Sequence, residues 1–230
     1  MQLLFASPWL WISLLCMLAD WLATGFRWKA VRNVTKPAAL ILLIVWFSTV
    51  SGWRGPTVWF GLGLVFSLLG DIFLLQPDRG FIFGLAAFLA GHLCYILGFN
   101  TRPVQLNSLF FLPLAGTALA GILVGRYILR GLKRGKTHSR MKTPLLMYML
   151  VIGMMVISAL ACFFRPTWPW AAAALSSLGA ISFMTSDSIL ASDRFVRQRW
   201  WAGVTIMVTY HLGQVMIISG ALLALSESAG

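Results

Sequence analysis

The chain has 230 residues, of which 59% are hydrophobic and 10% are charged, and its formal net charge is +12 at pH 7. So little polar material cannot cover a globule of this size, so the composition excludes a soluble protein and predicts a polytopic membrane protein. The three cysteines lie inside apolar runs without paired spacing, which is untypical of a metal knuckle or a disulfide framework.

Eight apolar runs are long enough to cross a bilayer as helices, and they are too long, with too little alternation, for barrel strands. In chain order they cover residues 3–24, 37–53, 57–75, 81–99, 108–125, 143–164, 170–191 and 200–225. No basic region precedes the first run, so we interpret it as a retained span rather than a cleaved signal peptide. The prediction is an all-α fold, a polytopic membrane helical bundle of eight transmembrane helices that forms a single domain over residues 1–230.

Basic residues crowd the first, fifth and seventh connections, whereas the second, fourth and sixth carry one each and the termini none. The crowded connections hold Arg27, Lys29, Arg32 and Lys36, then Arg126, Arg130, Lys133, Arg134, Lys136, Arg140 and Lys142, then Arg194, Arg197 and Arg199. The positive-inside rule therefore places the odd-numbered connections in the cytoplasm and both termini outside. In short juxtamembrane loops, orientation and anionic lipid explain the net charge, so we predict no nucleic-acid partner.

Ionisable groups at membrane depth are costly and mark candidate functional sites. The polar residues inside the runs are Asp20, Lys36, Asp71, His92, Tyr95, Tyr148, Asp187, Tyr210, His211 and Gln214. With the orientation above, they gather in or near the cytoplasmic half of the membrane, and we predict that they line one cavity open to the cytoplasm. For any one of them taken alone, a hydrogen-bonded structural contact between helices is an equal alternative.

A short internal echo links the two aspartates that end their spans. The segment GDIFL at residues 70–74 and the segment SDSIL at 186–190 are each followed by Asp-Arg and later by His-Leu. Duplicated helix pairs with a site between them would give this layout, although so short a match also arises by chance. Helical spacing adds small or apolar residues on the face of each aspartate, and we expect close helix packing to bring the two carboxyls together. These neighbours are Gly63 and Ser67 for Asp71, and Ser176, Ala180 and Phe183 for Asp187.

Two carboxyls in a low-dielectric pocket favour one protonated and one ionised group. That arrangement suits the cleavage of an acid-labile carbon–oxygen bond, as in glycosidases. Lys36, before Pro37 at the predicted start of the second span, offers a positive charge beside exposed amides and is a candidate seat for a lipid phosphate. An ordinary charge flanking a span is the alternative for Lys36.

Five motifs carry a family resemblance. They are Lys36-Pro37, Gly70-Asp71 with Leu74, FLAGHLCY at 88–95, SDSIL at 186–190 and YHLGQ at 210–214. In this order, over nearly the whole chain, they resemble the signatures of the YhhN family of eight-span proteins, whose characterised members are lysoplasmalogenases. The resemblance implies hydrolysis of the vinyl-ether bond of a lysoplasmalogen with a phosphoethanolamine or phosphocholine head. The products are a fatty aldehyde and glycerophosphoethanolamine or glycerophosphocholine.

The chemistry of this hydrolysis leads to a hypothesis about the roles of the polar residues. Asp71 and Asp187 would share the roles of acid and of ion stabiliser or base, with the division between them open. The residues expected to bind or position the substrate, the water and the carboxyls are Lys36, His92, Tyr95, Tyr148, Tyr210, His211 and Gln214. The expected partners are a lysophospholipid substrate and membrane lipid, with no cofactor and no metal. The expected location is a bacterial cytoplasmic (inner) membrane, with the site toward the cytoplasmic half.

Two further functions fit the polar residues. A metal-dependent lipid hydrolase resembling the alkaline ceramidases would use Asp71, His92, Asp187 and His211, although the dense histidine spacing of such sites is missing. A proton-coupled transporter would use the same residues as a relay. A purely structural role gives no reason for the polar residues to gather in one half of the membrane.

Overall fold

Eight long helices account for the eight predicted spans. The computed structural model describes residues 6–105, 107–132 and 141–227, without the side chains of residues 77–79, 132 and 225–227. The helices are α1 (Pro8–Gly25), α2 (Lys29–Ser51), α3 (Thr57–Leu74), α4 (Pro77–Phe99), α5 (Phe111–Leu132), α6 (Lys142–Leu160), α7 (Trp170–Phe195) and α8 (Ala202–Glu227). Short 3₁₀ turns precede α5 and follow α6. All eight are long and apolar enough to cross a membrane, which confirms the all-helical, eight-span prediction.

The start of the second span was predicted wrongly. The helix α2 begins at Lys29, so Lys36 and Pro37 lie inside it rather than at its first turn. A proline within a helix removes one backbone hydrogen bond, and here the helix continues through it. Lys36 is therefore not beside the free amides of a helix N-terminus, and the reason for expecting a phosphate there no longer applies.

Alternate connections lie together at the two ends of the bundle. Between α7 and α8, Arg199 donates to the Tyr127 hydroxyl at 2.9 Å, and in the last turn of α7 Arg194 lies 4.1 Å over the Phe81 ring near the start of α4. We call this end, which carries the basic connections, the basic end. At the opposite end, Arg165 donates to the carbonyl of Arg102, which joins the sixth connection to the fourth. Four of the predicted basic loop residues, Lys133, Arg134, Lys136 and Arg140, lie outside the described residues.

The closest helix pairs are α3 with α4 and α7 with α8. Both rely on glycine, as the spacing of small residues predicts. A Cβ at Gly63 of α3 would overlap the Tyr95 ring of α4, and a Cβ at Gly220 of α8 would overlap the Ser176 hydroxyl of α7. Small residues let backbones approach closely, which matters in lipid because packing rather than the hydrophobic effect holds helices together.

The helix α5 is the loosely packed member of the bundle. Only 11% of its span is buried, against 50% of the α6 span. It packs on α6 and touches α7, but it makes little contact with α4. A space therefore remains between α4 and α5, beside the core formed by the other helices.

Candidate active site

Six of the ten polar side chains predicted to share one cavity fall into two sets. Lys36, Asp71 and Tyr210 form the first, which we call the Asp71 set. His92, Tyr148 and Asp187 form the second, the Asp187 set. Each set draws its three residues from three different helices, so the fold of the whole bundle builds both.

In the Asp71 set, two groups hold the carboxylate. Lys36 places Nζ 3.0 Å from Oδ1 of Asp71, and the Tyr210 hydroxyl donates to Oδ2 at 2.9 Å. All three side chains are almost fully buried. Burying an ion pair costs desolvation free energy, which good geometry and additional hydrogen bonds offset. The amine of Lys36 is thus engaged by Asp71 inside the protein rather than presented to a ligand.

Asp20 adds a second buried carboxyl near Lys36. It lies on α1, is fully buried, and interacts electrostatically with Lys36 and Arg32. The Thr35 hydroxyl lies 3.5 Å from its Oδ1, while its Oδ2 has no hydrogen-bond partner among the described residues. The sequence analysis counted Asp20 among the residues predicted to line the cavity but gave it no role in catalysis or binding.

In the Asp187 set, three side chains lie within hydrogen-bond distance of one another. Tyr148 donates to Asp187, and Nε2 of His92 lies 3.0 Å from the Tyr148 hydroxyl and 3.3 Å from Oδ2 of Asp187. On the other side of the ring, Nδ1 of His92 lies 3.2 Å from the sulfur of Met155. A thioether can accept but not donate, so this contact places a hydrogen on Nδ1. Nε2 is then the ring nitrogen that faces both Tyr148 and Asp187.

Each aspartate contacts a residue of the other helix pair, the pairs being α3 with α4 and α7 with α8. Asp71 of α3 is bound by Tyr210 of α8, and Asp187 of α7 is next to His92 of α4. This crossing is what the echo between residues 70–74 and 186–190 predicts for a site between two pairs. The Asp-Arg half of the first repeat, Asp78-Arg79, has side chains outside the described set.

An aromatic layer stands between the two sets. The Phe183 ring centroid lies 4.7 Å from that of His92 and 5.1 Å from that of Tyr210, and Phe88 packs against Phe183 and Tyr210. In the described structure, no hydrogen bond or ion pair joins Asp71 to Asp187, although we expected the carboxyls to meet. The reason is that Phe183, one turn before Asp187 on the same helix face, is large rather than small.

The remaining predicted residues pair outside these two sets. Tyr95 donates to the side-chain oxygen of Gln214 in the middle of the bundle. Trp21 of α1 donates to Nδ1 of His211 at 2.9 Å. Sequence reasoning missed Trp21 because a tryptophan near the end of a span usually marks the membrane interface.

Met155 was also missed, although it contacts His92 directly. It lies in an apolar run of methionines, leucines and isoleucines, where nothing distinguishes it from a core residue. Its role could be found only from the structure.

An apolar pocket leads to Asp187 and not to Asp71. It has about 740 Å³ of empty space, part of it open to the surroundings, and lies between α4, α5, α6 and α7. Its walls are mostly apolar side chains and glycines, and Tyr148, Asp187 and Ser188 supply the polar side chains among the described lining residues. The Asp187 side chain is 12% exposed, whereas that of Asp71 is 1% exposed. A molecule that enters this pocket therefore meets Asp187.

The four residues that a metal-dependent hydrolase would need do not come together in the fold. Asp187 and His92 belong to one set, Asp71 is bound by Lys36, and His211 is bound by Trp21. Within the ranges 6–105, 107–132 and 141–227, no group of three or more His, Cys, Asp or Glu residues is placed to hold a metal ion.

Comparison with known proteins finds relatives that are named lysoplasmalogenase. The chain is 30% identical to lysoplasmalogenase TMEM86B of Mus musculus over 196 residues, which cover 85% of this chain and 76% of that protein. It is 30% identical to lysoplasmalogenase TMEM86A of Bos taurus, over 70% of this chain and 63% of that protein. It is 27% identical to the lysoplasmalogenase of Mycobacterium tuberculosis (strain CDC 1551 / Oshkosh), over 70% of this chain and 59% of that protein. The chain thus spans less than two thirds of the bovine and mycobacterial proteins.

No solved structure matches the chain. The family model that matches it, described as YhhN family, covers residues 31–221. That range contains both aspartates of the site and all the residues of the two sets, whereas Asp20 and Trp21 precede it. The protein therefore belongs to the YhhN family, as its ordered motifs indicate.

Proposed function

We propose that this protein is a lysoplasmalogenase, an ether hydrolase that cleaves the vinyl-ether bond of a single-chain alkenyl glycerophospholipid. The products are a fatty aldehyde and glycerophosphoethanolamine or glycerophosphocholine. The relatives named lysoplasmalogenase support the reaction class. The observation that carries the proposal is the apolar pocket whose polar wall is Asp187 with Tyr148, beside His92.

The reaction needs a proton, a water molecule and no redox step. A proton added to the alkenyl carbon that is not bonded to oxygen converts the vinyl ether into an oxocarbenium ion. Water adds to that ion and loses a proton, which gives a hemiacetal. The hemiacetal then breaks its bond to the glycerol oxygen, which takes up a proton as the aldehyde forms. One water is consumed, and the catalyst recovers its proton.

Asp187 and His92 supply this proton in our proposal. A proton shared between Oδ2 and Nε2, 3.3 Å apart, is available to the pocket, and the carboxylate that remains stabilises the positive oxocarbenium ion. Afterwards the same pair accepts a proton from the attacking water. Tyr148 orients Asp187 through its hydroxyl and is the second polar group on the pocket wall.

Asp71 acts at a distance from the substrate. Its carboxylate accepts a hydrogen bond from Tyr210, and the Tyr210 ring packs on Phe88 and Phe183. These two phenylalanine rings separate Asp71 from the pocket and from His92. We therefore assign Asp71, with Lys36, to positioning the wall behind the Asp187 set. Tyr95, Gln214 and His211 complete the buried polar layer that holds α8 in place.

The orientation follows from the charges. The basic residues gather at one end of the bundle, and the positive-inside rule places that end in the cytoplasm and both termini outside. Asp187 lies about two turns from the end of α7 at the basic end, so the site belongs to the cytoplasmic half of the membrane. We propose a bacterial cytoplasmic (inner) membrane as its location, with the whole chain as one transmembrane domain.

Aldehyde release tests the proposed reaction. Purified protein is given an alkenyl lysophosphocholine or lysophosphoethanolamine, and separately the saturated ether analogue, which has no double bond to protonate. We expect aldehyde from the alkenyl lipids alone. Aldehyde from neither lipid would contradict the proposal, and uptake of an intact lipid into proteoliposomes would then favour a transporter. Loss of turnover on chelation, restored by zinc, would instead favour the metal-dependent hydrolase.

Substitution tests the role of Asp187. Asp187→Asn should lower turnover by about 10²- to 10⁴-fold, the usual contribution of a general acid or base. Asp193→Asn is the matched control, because it makes the same change on the same helix at a carboxyl that accepts a hydrogen bond from the backbone N–H of Arg199. Full turnover in Asp187→Asn, or equal losses in both variants, would reject the assignment.

A further inference from the structure

The pocket beside Asp187 is lined almost wholly by apolar side chains and glycines. Its lining residues come from α4, α5, α6 and α7, with Leu74 of α3, and every one of them lies in a membrane-spanning helix. The helices α4 and α5 make little contact with each other, and α5 is the least buried of the eight spans. The gap between them therefore opens at the depth of lipid tails.

Two glycines keep this passage open. Gly121 on α5 and Gly153 on α6 both line the pocket, and a Cβ built at either one meets no atom within 4 Å. These glycines differ from those between α3 and α4 or between α7 and α8, where a Cβ would collide with a neighbouring helix. Close helix packing does not explain them, since the space next to each is empty.

Gly153 lies further from the basic end than Tyr148, which is one of the polar residues that line the pocket. Gly153 follows Tyr148 by five residues on α6, which is about 7.5 Å further along the helix axis, away from the basic end. An apolar chain that runs from Asp187 away from the basic end follows the side of the pocket on which Gly153 lies, and Gly121 of α5 lines the same pocket.

We propose that the alkenyl chain of the substrate enters sideways from the bilayer between α4 and α5 and is held against Gly121 and Gly153. This inference rests on the proposed function for the identity of the reacting group. It adds that these two glycines, rather than any group that touches the vinyl ether, determine which chains the enzyme accepts. The chain beyond the glycines remains in the lipid, so the protein need not enclose its full length.

Filling the passage tests the inference by kinetics. Gly121→Leu places a side chain in open space, and we expect kcat/KM for a sixteen-carbon alkenyl lysophosphocholine to fall roughly tenfold or more, chiefly through KM. Turnover of a four-carbon alkenyl analogue should stay within about twofold, because its chain ends before the glycine. Gly153→Leu makes the same test from α6 and replaces the first variant if that one does not fold.

Gly116→Leu is the matched control. Gly116 lies on α5, is exposed, has no atom within 4 Å of an added Cβ, and does not line the pocket. Its turnover of both chain lengths should equal that of the unsubstituted protein. Equal losses for the long and the short chain in Gly121→Leu and Gly153→Leu, with normal melting temperatures, would overturn the inference.

A binding experiment separates this inference from the proposed reaction. The probe is a saturated 1-alkyl lysophosphocholine with a photoreactive diazirine in mid-chain, which cannot be hydrolysed as a vinyl ether. We expect labelling of pocket residues on α4, α5 or α6, competition by the unlabelled ether, and loss of labelling in Gly121→Leu but not in Gly116→Leu. Such labelling without aldehyde release from any alkenyl lipid would refute the proposed reaction and leave the chain passage standing. Labelling spread evenly over the lipid-facing helices, without competition, would refute the passage.

Discussion

Removing the Lys36 amine should destabilise the protein strongly. Lys36→Met keeps an unbranched apolar stem and deletes the ammonium group that lies 3.0 Å from Oδ1 of Asp71. Both side chains are 1% exposed, so water cannot replace the lost partner without entering the core. The Asp71 carboxylate then keeps the hydrogen bond from Tyr210 but loses its counter-charge.

The size of the effect follows from this geometry. At 3.0 Å and an effective dielectric constant of about 20, the attraction between unit charges is about 5.5 kcal/mol. Removing one partner of a buried pair typically costs about 3–5 kcal/mol. On the scale measured for soluble chains of about this length, such a loss lowers the melting temperature by roughly 6–20 °C.

Thermal unfolding in detergent measures this loss, with the fluorescence of the 11 tryptophans as the signal. Lys29→Met is the control, because it makes the same substitution at an exposed position of the same helix, and it should melt close to the unsubstituted protein. The double variant Lys36→Met with Asp71→Asn should recover part of the loss, because the buried uncompensated charge is gone. The recovery should be incomplete, since Asp20 also interacts with Lys36.

Two results would refute this reasoning. The first is a melting temperature for Lys36→Met that equals that of Lys29→Met. The second is a double variant whose melting temperature falls by as much as the sum of the decreases in the two single variants. Either would mean that the amine and the carboxyl do not stabilise each other as charges, and that another contact holds α2 against α3.

Two further predictions concern helix contacts. Trp21→Phe removes the donor to Nδ1 of His211 and should cost about 1 kcal/mol, or roughly 2–4 °C, in the same unfolding assay, with no further cost when His211 is already replaced by Leu. Gly63→Ala forces a Cβ into the Tyr95 ring and should cost about 1–3 kcal/mol, whereas Gly116→Ala, with open space around the added Cβ, should be neutral or stabilising. A large loss in the His211→Leu background, or equal effects of the two alanines, would contradict these contacts.

The helices were predictable because their signal is local. A run of about 20 apolar residues must satisfy its backbone hydrogen bonds within itself when it lies in lipid, so run length alone predicts eight helices. The start of α2 was not predictable this way, because residues 29–36 include three basic side chains that break the apolar run without breaking the helix. Because the helix begins two turns earlier than predicted, Lys36 is the buried partner of Asp71 rather than a charge at the membrane surface.

The contacts of the site were less predictable than its residues. Composition and helical spacing identified both aspartates and the polar residues around them, since ionisable side chains stand out in apolar runs. The same reasoning did not foresee that Phe183 would separate the two carboxyls, because spacing predicts which face a residue shares and not how far its side chain reaches. The pocket was also beyond the sequence, since it depends on the gap that the loose packing of α5 leaves beside α4.

The two aspartates have similar surroundings in sequence but different chemistry in the fold. Each takes one partner from the helix that precedes its own pair and one from the second helix of the other pair: Lys36 and Tyr210 for Asp71, Tyr148 and His92 for Asp187. Lys36 forms a buried ion pair with Asp71, and neither residue lines the pocket. Asp187 instead has a tyrosine hydroxyl and an imidazole as partners, and both are groups that can take part in proton transfer. The division of roles that we propose, with Asp71 holding the structure and Asp187 moving a proton, rests on these unequal partners and on the pocket, which opens to Asp187.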